Sequence, residues 1–377
     1  MKKTVFAIAI LMSTIVGVGL FGLPYAGAQS GFLIAAIFLF LLTGIMVSLH
    51  LMYGEIVLHT KEKHRSPGYA GIYLGKIPKY ILSCSVVLGF FGSLLAYIIV
   101  GGNFLNTILS PILSVDPIVF NLLFFFIGAI VIYFGLHLIA GIDLIVSVFL
   151  ILIVFLFLFL GIPNIDISNL KTINFSKLFF PYGVILYSLS GMAAIPEIRE
   201  LFGRKDKGYR RSIIIGMLIP SVLYLVFLYV VVGLTGINTS PDAINGLIGV
   251  LGDKVVYLGS VFGFLACITS FFIIGLSLKK VFWYDFKINK NVSWFLVCLV
   301  PLVLFLLGFS NFIFIIVVLG ALLGAIEGSS IVLIYKKVRK LKFKRKKNCF
   351  RFPDLLRYAI IVIFLVGFVY TLISILS

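Results

Sequence analysis

Eleven stretches of this chain stay apolar for about the 20 residues that a helix needs to cross a ~30 Å hydrocarbon core. They run 4–25, 31–58, 80–109, 117–136, 141–161, 177–198, 212–234, 255–278, 292–308, 311–335 and 356–376. Their apolar character is near-continuous rather than alternating, which argues for helices over a β-barrel. Hydrophobic residues make up 62% of the chain and charged ones 12%, whereas a water-soluble fold carries roughly 25% charged residues. The fold class is therefore an all-α polytopic membrane protein.

The formal net charge of +18 invites a nucleic-acid partner until the charges are placed. With the N-terminus in the cytoplasm, 28 of the 31 Lys and Arg residues fall on cytoplasmic segments: Lys2 and Lys3, then those within 61–79, 199–211, 279–290 and 336–357. Lys171, Lys177 and Lys254 are left on the other side. This is the positive-inside bias of a multi-pass protein. It places the chain in the cell membrane with the N-terminus inside and the C-terminus outside, surrounded by lipid and with no nucleic-acid partner. The run Lys336 to Lys347 could bind anionic head groups, but a plain orientation signal is the simpler function. Lys2-Lys3, the apolar stretch after them and Ala26-Gly27-Ala28 imitate a secretory signal. The apolar part is a full span long, so it is assigned as the first helix.

Two spans are interrupted. The first contains Ser13-Thr14-Ile15-Val16-Gly17-Val18-Gly19-Leu20-Phe21-Gly22-Leu23-Pro24, with three glycines and a proline where a continuous helix tolerates them poorly. The sixth contains Tyr187-Ser188-Leu189-Ser190-Gly191 at mid-membrane depth, followed by Ile195-Pro196-Glu197. Glycine alone can serve helix packing. The spacing says more. The interruptions are five spans apart, an odd offset that makes two five-helix units opposite in topology, as in inverted-repeat transporters with a midplane site. Unwound backbone in lipid must face protein, water or a ligand. Half-helix N-termini can hold a carboxylate, and exposed carbonyls an amine or Na⁺. The units are bounded as 1–161 and 177–335, followed by a basic loop, 336–355, and an eleventh helix, 356–377.

Gly17-x-Gly19-x-Phe21-Gly22-Leu23-Pro24 resembles the first-helix signature of the amino acid–polyamine–organocation superfamily, and within it the amino acid/auxin and aromatic amino acid permeases. The sixth span, and the eighth with Thr269-Ser270-Phe271-Phe272 running into Lys279-Lys280, are similar to the same branch. The resemblance implies the leucine-transporter-type fold, with discontinuous helices one and six plus an eleventh helix, and secondary transport of an amino acid by alternating access. It implies substrate contacts at Thr14, Gly17, Val18 and Gly19 for the carboxylate side, and at Tyr187, Ser188, Ser190 and Gly191 for the ammonium side. Neither break carries an acidic or basic residue, so a neutral or aromatic zwitterion fits better than a charged amino acid. Tyr97 is a candidate gate, with packing as its alternative role.

Related Na⁺-coupled transporters hold an ion between helix-one carbonyls and helix-eight hydroxyls. Ser13 and Val16 take the first positions here, and Ala266, Thr269 and Ser270 the second, at i, i+3 and i+4 on one helix face. Some proton-coupled relatives place a fifth-helix lysine there, and 141–161 contains none. Such hydroxyls also bond back to their own helix without any ion. The coupling ion is expected to be Na⁺, with H⁺ and uncoupled exchange as alternatives; no other cofactor is expected.

Glu327 is the one carboxylate placed clearly inside the membrane, as a proton relay or gate or as a group hydrogen-bonded to a neighbouring helix. Glu55 and Glu197 sit at cytoplasmic span ends as candidate ion pairs or gate elements. Asp143 is expected to complement the start of the fifth helix. His50, His59, His64 and His137 show no metal-ligand spacing and are assigned to interfaces. Cys84, Cys267 and Cys298 are assigned to buried packing, and Cys349 has no partner by spacing. Alternatives to amino acid transport are another small solute or ion on the same fold, or a membrane-embedded protein that transports nothing. An enzyme would need a cluster such as H-E-x-x-H, which the sequence lacks.

Overall fold

The computed structural model describes residues 2–62, 64–135, 139–202, 208–342 and 351–376. Helices dominate it. In order they are α1 (Lys2–Ile15), α2 (Gly19–Ser30), α3 (Phe32–His59), α4 (Ser66–Tyr73), α5 (Lys76–Leu109), α6 (Pro117–Phe134), α7 (Ile139–Gly161) and α8 (Ile167–Lys171). Then come α9 (Phe180–Ser188), α10 (Ala194–Phe202), α11 (Tyr209–Thr235), α12 (Ile248–Leu251), α13 (Asp253–Lys280), α14 (Lys290–Leu306), α15 (Phe312–Leu323), α16 (Ser329–Lys342) and α17 (Asp354–Leu376). π-helical turns at Val281–Asp285 and Gly324–Gly328 follow α13 and join α15 to α16.

Each apolar stretch of the sequence coincides with a helix or a helix pair. Among the described residues seven helices are long and apolar enough to span a bilayer, and α1 with α2 makes an eighth, bent by 56°. Three expected spans fall short of that length for stated reasons. The sixth is divided into α9 and α10, of nine residues each. The ninth, α14, has 17 residues, about 25 Å at 1.5 Å per residue. The fifth, α7, has its apolar described part at Val148–Asn164. Boundaries also shift. The first span runs on to Ser30, through Ala26-Gly27-Ala28 and past Pro24, and the third begins at Lys76.

Local chemistry sets the ends. Asp116 accepts from the Ile118 N–H at 2.9 Å ahead of Pro117 to start α6. Asn289 and Asn311 cap α14 and α15 in the same way. Small residues let backbones meet: α15 crosses α9 so closely that a Cβ on Gly320 would strike the Gly183 carbonyl. α5 packs along α13 and α6, α11 along α1 and α3, and α2 against α9. Large apolar side chains such as Phe40 and Phe134 point outward, which suits a lipid-facing surface. Cys84 is among the exposed residues, so its expected burial is corrected: it lies on a face of α5 that no helix covers, while Cys267 and Cys298 are buried as expected. His137, Cys349, Lys63, Arg204, Lys205, Lys207 and the basic residues within 343–350 lie outside the described residues, as does the side chain of Asp143.

Candidate functional site

The first-span break is three residues long. α1 closes with the Val16 N–H donating to the Met12 carbonyl at 2.8 Å, and α2 opens with tight bonds from Leu20 N–H to Gly17 O and from Phe21 N–H to Val18 O, both 3.1 Å. Gly17 and Gly19 are there because nothing larger fits. A Cβ on Gly17 would lie 2.5 Å from the Tyr97 hydroxyl and 3.5 Å from Ser270 Oγ, and one on Gly19 would lie 2.7 Å from the Ser188 Cα. The Tyr97 hydroxyl reaches in from α5 against Gly17, close to the Val18 backbone and the Ser270 side chain.

The sixth-span break runs from Leu189 to Ala193 between α9 and α10. Its backbone turns tightly, with Ser190 N–H donating to Tyr187 O and Ala194 N–H to Gly191 O, both 3.1 Å. The two breaks touch. Ser188 Oγ lies 2.9 Å from the Gly19 carbonyl and 2.7 Å from Val184 O. Tyr224 of α11 sets its hydroxyl 2.8 Å from the Ile15 carbonyl and 3.0 Å from the Ser188 carbonyl. One hydroxyl thus serves the C-terminal ends of both half-helices, where partial negative charge gathers. Tyr187 lies near Ser93 and Tyr97 of α5 and Cys267 of α13.

The expected residues are therefore divided. Gly17, Val18, Gly19, Tyr187, Ser188, Tyr97 and Ser270 meet where the breaks join, all buried. Ser190 and Gly191 lie one step toward the basic face. The remaining polar residues turn to their own helices: Ser13 Oγ and Thr14 Oγ1 donate to Ile10 O at 3.1 and 2.7 Å. Thr269 Oγ1 lies 3.0 Å from Leu265 O and 3.2 Å from Ala266 O. Those oxygens keep lone pairs that could ligate a cation, together with the Val16 and Ala266 carbonyls. No group of three or more His, Cys, Asp or Glu side chains gathers among the described residues.

Glu327 is buried in the π turn, and its Oε1 accepts from Ser66 Oγ of α4 at 2.8 Å. Between it and the sixth-span break lies a cavity of about 10 Å³, lined by Met46, Leu49, Ser190, Met192, Gly324 and Glu327 among others, room for about one water. On the basic face Arg65 donates to Ala193 O at 2.7 Å and pairs with Glu197 at 2.9 Å. Burial opposes its charge, yet Glu197 more than offsets that and holds the guanidinium above its ordinary pKa. Arg210 meets Glu55 at 2.6 Å. Glu55 and Glu197 are thus the expected ion pairs.

His50 corrects its interfacial assignment. It is fully buried in α3, with Nδ1 2.7 Å from Met46 O, and its Nε2 accepts from the Gly191 N–H at 3.2 Å. An ionisable residue nine positions inside a 28-residue apolar helix was signal enough. Tyr224 left no such signal, because one more tyrosine in an apolar span reads as packing.

Comparison with known proteins completes the assignment. Tyrosine-specific transport system 1 of Haemophilus influenzae is 26% identical over 307 residues, 78% of this chain and 76% of that protein. Glutamine transporter 2 of Aliivibrio fischeri is 26% identical over 317 residues, 80% of this chain and 81% of that one. Among solved structures, the inward-facing conformation of Mhp1 superposes with a TM-score of 0.70 at 13% identity, over 98% of this chain and 88% of that one. MhsT in complex with L-phenylalanine gives 0.60 at 14% identity, over 98% of both chains. The fold is thus the leucine-transporter type, with its first and sixth spans discontinuous. The profile of the tryptophan/tyrosine permease family matches residues 1–374, and this chain, an amino acid permease, belongs to that family.

Proposed function

We propose that this permease is secondary active and carries a neutral amino acid, aromatic ones first, across the cell membrane by alternating access coupled to a cation. The carrying observation is that two helix breaks meet edge to edge with no ionised side chain in either. The N-terminal end of α2 at Val18 and Gly19 suits an α-carboxylate, and the carbonyls from Tyr187 to Ser190 suit an α-ammonium. Thr14, Gly17 and Gly191 border the seat, and Tyr97 closes it. Relatives named for tyrosine and glutamine, and a neighbour holding L-phenylalanine, support an uncharged side chain.

For the cation the geometry favours a proton over Na⁺. Glu327, a buried carboxyl, faces a water-sized cavity at Ser190, whereas the Ser13 and Thr269 oxygens carry no charge to offset that of Na⁺. Na⁺ at Ser13, Val16, Ala266, Thr269 and Ser270 is the second candidate, supported by Ser270 Oγ beside Gly17. The remaining assignments are two inverted units, 1–161 and 177–335, then the basic segment 336–355 and the helix 356–377. The N-terminus is cytoplasmic, the C-terminus is outside, and the chain is a branch of the amino acid–polyamine–organocation superfamily. Thermal stabilisation of the purified permease by each of the twenty amino acids tests the seat: aromatic and other neutral amino acids should raise Tm and lysine or glutamate should not. Stabilisation by charged amino acids alone refutes it.

A further inference from the structure

Besides Arg65 on the Ala193 carbonyl, the sixth-span break is held by a buried side chain that neither the substrate seat nor Glu327 accounts for. His50 Nδ1 lies 2.7 Å from the Met46 carbonyl, which has no hydrogen to give, so Nδ1 carries the proton. Nε2 then presents a lone pair, and the Gly191 N–H donates to it at 3.2 Å. Both ring nitrogens are used, and the partners fix a neutral tautomer. Gly191 lies at the N-terminal approach to α10, its carbonyl accepting from the Ala194 N–H at 3.1 Å. Its N–H is one of the donors that a helix start leaves without an internal acceptor, and it carries part of the positive end of the helix dipole.

We propose that His50 is a proton-responsive latch on the sixth-span break: the neutral ring holds Gly191 in place, and the protonated ring releases it. The step is a proton addition to the Nε2 lone pair. Once that pair is used, the ring has two donors and no acceptor, so the N–H···N bond to Gly191 is lost. A full positive charge then faces the positive end of α10, which repels it.

Of the ionisable groups on elements packed around α3, Arg210 of α11 is matched with Glu55, and Glu197 of α10 with Arg65. Glu327 accepts from Ser66 on the far side of the small cavity, and Tyr224 is engaged with Ile15 and Ser188. No charged side chain interacts with the imidazole among the described residues. The release would remove the hydrogen bond that ties the start of this half-span to α3, leaving Arg65 on the Ala193 carbonyl. His50 is a positioning residue in this scheme: it acts through Gly191 and does not touch the amino acid.

The latch deepens the proton-coupled reading proposed above, so its test needs a readout that does not depend on transport. Hydrogen exchange of peptides covering 186–196, corrected for the intrinsic effect of pH, can be followed on the full chain in nanodiscs from about pH 7.5 to about pH 5.5. Wild type should lose about ten-fold in protection on acidification. His50→Gln, whose amide oxygen can still accept from Gly191 but does not titrate, should change less than about two-fold. Equal loss in both proteins, or no loss in wild type, overturns the latch; should His50→Gln fold poorly, Glu327→Gln decides, since it keeps the ten-fold loss only if the ring and not the carboxyl causes it. Uptake in proteoliposomes under a pH gradient separates the two ideas. Proton-driven uptake without pH-dependent protection removes the latch alone, and the reverse result removes proton coupling while the latch stands.

Discussion

The two breaks are built from different materials. The first is three residues long, lined by glycine, and touched by hydroxyls from Tyr97 and Ser270. The second is five residues long and has titratable neighbours: His50 on its amide, Glu327 across a water-sized cavity, and Arg65 on the Ala193 carbonyl. Both offer backbone ends to a zwitterion, but only the second can change its charge. On the proposed function, both breaks serve recognition and the second also serves coupling.

The largest effect should come from closing the first break. Gly19→Ala puts a Cβ 2.7 Å from the Ser188 backbone, which cannot move without shifting α9. Uptake of L-tyrosine should fall by about a hundred-fold or more. Gly17→Ala meets only the end of the Tyr97 side chain at 2.5 Å, so its loss should be nearer ten-fold. Equal losses at the two glycines would show that the seat does not centre on Gly19.

At the second break Glu327→Gln keeps an acceptor for Ser66 but cannot carry a proton. Accumulation of L-tyrosine under an imposed pH gradient should drop by about ten-fold, more than counterflow at equal pH does. A parallel fall in both would make Glu327 a packing residue. Tyr224→Phe removes the hydroxyl shared by the Ile15 and Ser188 carbonyls and should cost about 1–2 kcal/mol, read as a lower Tm. An unchanged Tm would mean that the breaks do not need this clamp. Smallest of all, Thr269→Ala removes a hydroxyl that bonds within its own helix, so uptake should change less than about two-fold. A loss of Na⁺ dependence in that variant would return the coupling site to α1 and α13.

Much of this was legible in the residues. Span-length apolar runs marked the helices. Gly17 and Gly19 marked the first break, and Tyr187 to Gly191 the second, because unwinding in lipid requires residues that tolerate close backbone approach. What stayed hidden depends on side-chain direction. Thr269 and Ser270 have the spacing of a ligand pair, yet one hydroxyl turns back to its own helix while the other faces Gly17. Cys84 lies in an apolar span but on its uncovered side. The depth of His50 in an apolar helix spoke against an interfacial place, but nothing local names its partner, a break that comes 141 residues later. Such pairings arise from tertiary packing, which no local pattern encodes.

One measurement reaches the central claim directly: uptake of L-tyrosine by the purified chain in proteoliposomes, with an imposed pH gradient and no Na⁺. The account predicts accumulation above the equilibrium level that collapses when a protonophore is added. Accumulation that ignores the pH gradient and appears only with a Na⁺ gradient would contradict it.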